Sequence, residues 1–184
     1  MTEKQSLRTI FIIWAMLVGL CTPFVVFFLP LVISTVLYEQ EQNIALFIPA
    51  VNFWVTAFGL ALLLTGLLLL AWKRNKIMYA VFGSLLVASL ISLYASSLSY
   101  TAIQEDQMVL QKFNKTRIYP WEDMEIVEYV YVYGVNGTYY FTAKNGDKWS
   151  LAENFLLDTT AQSRFYSRLR TYEVELIEEE IVAD

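Results

Sequence analysis

Residues 9–38, 44–72 and 77–104 contain no Asp, Glu, Lys or Arg, and these three runs fill most of the N-terminal part of a 184-residue chain. Crossing a hydrocarbon layer of ~30 Å takes roughly 20 apolar helical residues, and every run exceeds that length. The sequence therefore predicts three transmembrane helices, at about 10–36, 46–72 and 78–99, within a transmembrane domain of 1–103. Pro23 and Pro30 predict kinks in the first. That run, with Lys4 and Arg8 ahead of it, has the outline of a secretion signal, but its apolar stretch is too long and has no small-x-small cleavage site. It is expected to stay in the mature protein. Leu17-Val18-Gly19-Leu20-Cys21 approaches a lipoprotein box, yet Leu20 stands where that signal needs a small residue. Cys21, the sole cysteine, is therefore read as a small buried hydrophobe.

Basic residues of short loops stay on the cytoplasmic side. Lys4 and Arg8 precede the first span and Lys73, Arg74 and Lys76 separate the second from the third, whereas residues 39–43 carry two Glu and no base. This pattern places the N-terminus in the cytoplasm of a cell and, after three crossings of its membrane, the C-terminal domain outside. Trp14, Trp72 and Tyr79 would ring the inner interface, and Tyr38 and Tyr100 the outer one.

No ionisable group inside the spans marks an ion or proton path. The ordered feature is a small-residue ridge in the third span, Ala80, Ser84, Ala88, Ser92 and Ser96, of the kind that lets helices approach closely in lipid. It packs either the other two spans or a partner, which is a homo-oligomer or another membrane protein. Asn52, Thr56, Gly59, Thr65 and Gly66 offer a facing surface.

After Gln104 the composition turns to mixed charge, and 104–184 reads as a β-rich domain with a C-terminal helix. Strands are expected at 107–113, 117–119, 126–135, 138–143 and 148–151, with Asn136-Gly137 and Asn145-Gly146 as hairpin turns. Two-residue loops would pair Tyr133 with Tyr140, Tyr131 with Thr142 and Thr142 with Trp149. Tyr129, Tyr131, Tyr133, Tyr140, Trp149 and Leu151 would then share one face, opposite Val130, Val132, Tyr139, Phe141 and Ala143, leaving both faces apolar and both partly covered. Tyr129, Tyr131 and Tyr133 thereby become candidate interaction residues. Asp158 caps a helix whose stripe is Ala161, Phe165, Leu169 and Tyr172, with Arg164 and Arg168 as a basic edge that is a solvated face or a further interaction site. The tail 173–184 is compatible with either helix or strand. Trp121 is expected beneath the terminal helix, against Phe165 and Leu169.

The chain has no histidine, no Gly-rich phosphate loop and no nucleophile elbow, so neither an enzyme nor a cofactor, metal or small-molecule substrate site is expected. Residues 104–184 hold 8 basic and 15 acidic side chains, net −7, which opposes nucleic acid and anionic lipid.

A span-linked strand, then Tyr119-Pro120-Trp121-Glu122-Asp123-Met124, an Asn-Gly meander and a closing helix make residues 100–172 resemble the bacterial pleckstrin-homology-like (PH-like) membrane proteins. The resemblance implies an α+β domain of antiparallel strands closed by one helix, acting as an interaction scaffold rather than a catalyst. Its partner would be another membrane protein or a second copy, the alternative being a surface sensor or immunity-type binder of a peptide or toxin. By analogy with eukaryotic pleckstrin-homology domains, Lys112, Lys115 and Arg117 are candidates for cradling a lipid-headgroup phosphate. Related proteins with paired spans often keep the domain in the cytoplasm, whereas the loop charges here place it outside.

Overall fold

The structure is a computed structural model that describes residues 3–153 and 157–181. It divides into two compact units, Met1–Tyr38 with Ile48–Tyr100, and Glu39–Phe47 with Thr101–Asp184.

The first unit holds three helices long and apolar enough to cross a membrane: α1 (Glu3–Tyr38), α2 (Ala50–Trp72) and α3 (Lys76–Ala95). α1 contains Pro23 and Pro30 and, at ~1.5 Å per residue, is about 54 Å long. α2 packs against both neighbours. The rings of Phe27 and Phe53 stack at 6.1 Å between α1 and α2. Gly59 and Gly66 bring α2 close to α3: a Cβ at Gly59 would lie 3.1 Å from that of Ser92, and one at Gly66 would lie 2.8 Å from the Phe82 ring. Asn75 caps α3 by accepting from the Met78 N–H at 2.8 Å. At its far end the Ser96 and Ser97 hydroxyls donate to the carbonyls of Leu93 and Tyr94, in the last turn of the helix. Asn52, buried, donates its amide to the Ser99 carbonyl at 2.7 Å. Tyr38 and Tyr100 stack at 4.2 Å. Cys21 is exposed rather than buried, because only one flank of α1 is packed.

The second span was expected to begin at about 46, yet residues 43–47 form a strand, β1 (Asn43–Phe47). Hydropathy alone does not separate an apolar strand from an apolar helix. Pro49, without an N–H and with extended geometry, separates the two elements, and the helix starts at Ala50. β1 pairs antiparallel with β2 (Tyr100–Gln104), Phe47 opposite Thr101. The expected division at 103/104 therefore moves: the segment between α1 and α2 belongs to the β-rich unit, which extends back to Thr101.

The sheet continues through β3 (Gln107–Lys112) to β4 (Lys115–Pro120), in the order β1-β2-β3-β4. A second sheet has the order β7-β6-β5-β8, with β5 (Met124–Tyr131), β6 (Thr138–Ala143), β7 (Lys148–Ala152) and β8 (Glu175–Glu180). α4 (Thr159–Thr171) connects β7 to β8, and β8 lies parallel to β5. The tail is thus a strand as far as Glu180, and residues 182–184 lie outside the described residues. This parallel strand departs from the purely antiparallel domain expected.

One core joins both sheets and α4, with Phe47, Ile103, Met108, Trp121, Phe141 and Phe165 among its members. Asp158 caps α4 by accepting from the Ala161 N–H at 2.7 Å, and Ala161, Phe165 and Leu169 are buried. Trp121 is 0% exposed, its ring centroid 5.8 Å from that of Phe165 and its indole N–H donating to the Gln104 carbonyl at 3.1 Å. Buried Gln104 also donates its amide to Asn43 Oδ1 at 2.9 Å, which ties the first interhelical segment to β2.

The expected hairpin register is overturned. β5 and β6 are joined by residues 132–137, with Gly134 at φ +80°, and Tyr129 faces Tyr139 while Ile126 faces Thr142. Asn136-Gly137 is not the turn. Gly137 is buried because the Tyr129 ring lies against it, where a Cβ would come within 2.5 Å, and its N–H donates to Glu153 at 3.1 Å. At the second hairpin Gly146, φ +87°, closes a three-residue loop, so Phe141, not Thr142, faces Trp149. Odd register shifts exchange faces. Val127, Tyr129, Tyr139, Phe141, Trp149 and Leu151 therefore point to the core, while Glu128, Tyr140, Lys148 and Ser150 point outward. The sheet has one apolar face and one wet face, not two apolar ones.

Candidate functional site

The three tyrosines grouped from sequence separate in the structure. Tyr129 is half-buried against Tyr139, with ring centroids at 4.4 Å, and donates its hydroxyl to Glu153. Burial, and then that hydrogen bond, push its phenol up to about 12. Tyr131 is half-buried and stacks on Tyr129 at 5.2 Å. Tyr133 stands apart at 86% exposure on the β5–β6 loop, with Val135 beside it at 64%.

Arg164 and Arg168 sit one turn apart on α4, and both ion-pair with Glu105 in the turn between β2 and β3. The hydrogen bond from Arg164, ahead of the charge of Arg168, holds the Glu105 carboxyl below its usual range. Their role in the structure is to tether α4 to the first sheet, leaving Arg170 as the α4 arginine without an ion pair among the described residues.

The ridge of α3 twists across its surface. Ser92 faces Gly59, Ser96 caps the helix, Ala88 is half-buried, and Ala80 and Ser84 are exposed, with the Ser84 hydroxyl donating to the Ala80 carbonyl at 3.1 Å. The residues of α3 that approach the glycines of α2 are Phe82, Leu85, Ser89, Ser92 and Leu93. Of these the ridge contains only Ser92.

Lys112, Lys115 and Arg117 do come together, in a cleft of about 180 Å³ lined from β3, β4 and β7, with β4 and β7 in different sheets. Lys148 joins them. Its floor is the Tyr119–Trp149 stack, at 4.3 Å between ring centroids. The Tyr119 hydroxyl donates to Asp147 at 2.6 Å, and Arg117 lies 3.6 Å from the same carboxylate. The Tyr119 hydrogen bond, more than the Arg117 charge, holds Asp147 below the usual carboxylate range. Lys148 and Trp149 were not grouped with the other cations from sequence, because only the tertiary approach of β7 to β4 brings them there.

No protein-family model matches this chain, and no match is found among the curated proteins.

Proposed function

We propose that this chain is a non-enzymatic, multi-pass cell-membrane protein whose PH-like domain binds another membrane protein or a second copy of itself. The observation that carries this reading is the β5–β6 loop: Tyr133 and Val135 are exposed there, whereas Tyr129, Tyr139, Phe141 and Trp149 of the same sheet face the core. Exposed aromatic side chains on a rigidly framed loop are favoured contact residues. The PH-like reading is supported by two consecutive three-strand meanders, β2–β3–β4 and β5–β6–β7, followed by α4 with Phe165 and Leu169 in the shared core. β1 and β8 are additions to that plan.

For topology, the chain leaves the first sheet from β1 for α2 and returns from α3 to the neighbouring strand β2. With α1–α3 as spans, three crossings support a first loop and a C-terminal domain on one side, and the loop charges favour the outside. A cysteine replacing Asn145, in the exposed β6–β7 turn of a Cys21→Ser background, is expected to react with a membrane-impermeant maleimide in intact cells. Labelling that requires lysis would reverse the orientation.

The interaction itself is tested with a photo-crosslinking amino acid at Tyr133 of the full-length protein in cells. Adducts with an integral membrane protein or with a second copy are the expected products. An adduct with a soluble peptide would favour the sensor or immunity reading, and no adduct at Tyr133 would remove the loop from the binding surface.

A further inference from the structure

Each sheet ends in two edge strands, and the edges differ in cover and charge. β1 is largely buried and α4 packs against it, and β7 carries a single charged residue, Lys148. β4 is exposed from Lys115 to Ile118, and its only charges are Lys115 and Arg117. β8 is exposed at five of its six residues and carries Glu175, Glu178, Glu179 and Glu180. Among the described residues those carboxylates and Lys115 enter no ion pair, and the ion pair of Arg117 is the 3.6 Å approach to Asp147.

Both exposed edges have backbone groups to spare. The Ile181 N–H donates to the Tyr131 carbonyl at 2.8 Å, so alternate residues from Glu175 onward face β5. Leu176, Glu178 and Glu180 then turn their N–H and C=O groups to the free side. The Trp121 N–H donates to the Asp106 carbonyl at 3.1 Å, and the same alternation turns those of Thr116 and Ile118 outward from β4. α4 does not close over β8, because a hollow of about 440 Å³ lies between them, lined by Tyr166 and Arg170 on the helix and by Leu176 and Glu178 on the strand.

An open edge is a template for a further strand, and its charges decide which strand. Two β8 edges side by side would set glutamates against glutamates, and two β4 edges would set cations against cations, so neither edge accepts its own kind. β4 against β8 places Lys115 and Arg117 beside carboxylates that have no partner within one copy. Within one copy the two strands lie in different sheets and do not pair, so the complement of each edge comes from a second copy. Pro120, without an N–H, ends the β4 edge and confines such a contact to the charged stretch.

We propose that β4 of one copy adds as a strand to β8 of a second copy, a head-to-tail contact between a basic edge and an acidic one. It rests on the reading of this chain as a protein that binds its own copy, and it names the two surfaces. Two differently tagged full-length variants in a Cys21→Ser background, Thr116→Cys and Ile177→Cys, are co-expressed, and isolated membranes are treated with a short membrane-permeant bis-maleimide. Both positions are exposed and uncharged. Adducts joining the two tags are expected, well above adducts joining like tags. Adding Lys115→Glu and Lys112→Glu, the latter on the β3 residue opposite Lys115, to the first variant is expected to lower the mixed adduct roughly tenfold, because attractive cross-strand pairs become repulsive. Adding Glu178→Lys and Glu179→Lys to the second variant is then expected to restore it. Lys115→Gln, which removes one charge without reversing it, is expected to lower the yield by a smaller factor, and melting temperatures establish that each variant is folded. Equal yields of mixed and like-tag adducts, no mixed adduct, or a mixed adduct that charge reversal in a folded variant leaves unchanged overturns the contact. Thr116 adducts with a different protein in place of the second copy overturn it too and give the edge another occupant. A second-copy adduct at Tyr133 beside no mixed adduct here would leave self-association standing and remove these two edges from it.

Discussion

Trp121→Ala is expected to cost the β-rich unit roughly 3–5 kcal/mol, the range for deleting a large buried aromatic. The side chain is fully enclosed, its ring meets Phe165 of α4, and its indole N–H occupies the Gln104 carbonyl. Alanine would open a cavity between the sheets and α4 and would leave that carbonyl short of a donor. With total stabilities commonly near 5–15 kcal/mol, much of the unit's margin would be lost. Trp121→Phe separates the contributions, since it keeps most of the packing and removes the hydrogen bond, for which about 1 kcal/mol is expected. Thermal melting of the full-length protein, followed by the β-sheet circular dichroism band, reads both variants. An unchanged melting curve for Trp121→Ala would contradict the enclosed position and move Trp121 to the binding surface.

Gly59→Leu is expected to push α3 off α2. The new Cβ would meet the Ser92 Cβ at 3.1 Å and the Ser89 backbone carbonyl at 3.2 Å, and a backbone group cannot rotate aside as a side chain can. Overpacking of this kind costs about 1–3 kcal/mol in soluble cores. In lipid, where small residues supply the close contact that holds helices together, the same clash acts on the main source of attraction. Gly83→Leu is the control, because a Cβ there meets nothing within 4 Å. A clear fall in detergent melting temperature for Gly59→Leu beside no change for Gly83→Leu is the expected pair of results. Equal behaviour of the two would mean that the α2–α3 contact lies elsewhere.

Both expectations draw on features that were legible in the sequence to different degrees. Trp121 beneath α4 follows from a large aromatic after a proline at the start of a strand, together with the apolar stripe of the helix. Gly59 was visible as a small residue offered to the α3 ridge, and the one ridge residue among its nearest contacts is Ser92. The four-residue spacing of Ala80 to Ser96 drew attention to a ridge of which Ala80 and Ser84 are exposed, whereas buried Ser89 lies one residue off that spacing. Spacing identifies a stripe on a helix and does not say which stripe the neighbour covers.

The candidate sites show the same division. Lys112, Lys115 and Arg117 are close in sequence on one hairpin, so their grouping was readable, while Lys148 arrives from a strand in the other sheet. Arg164 and Arg168 were readable as a basic edge, but Glu105, which engages both, is 59 residues from Arg164. Tyr129 and Tyr133 share a face by alternation in the sequence, and a register change of odd length packs one on the core and leaves the other on a loop.

By itself the sequence determined what depends on local composition: three helices of membrane-crossing length, a capped amphipathic helix at Asp158, and strands punctuated by turns. Each follows from hydropathy, side-chain period or backbone preference acting within a few residues. Tertiary structure alone decided that residues 43–47 join the first sheet, that β8 lies parallel to β5, that Gly137 serves a ring rather than a turn, and that four cations share one cleft. These depend on which strands meet and in what register, and the free energy of such pairings comes from burial between segments distant along the chain, which no local pattern encodes.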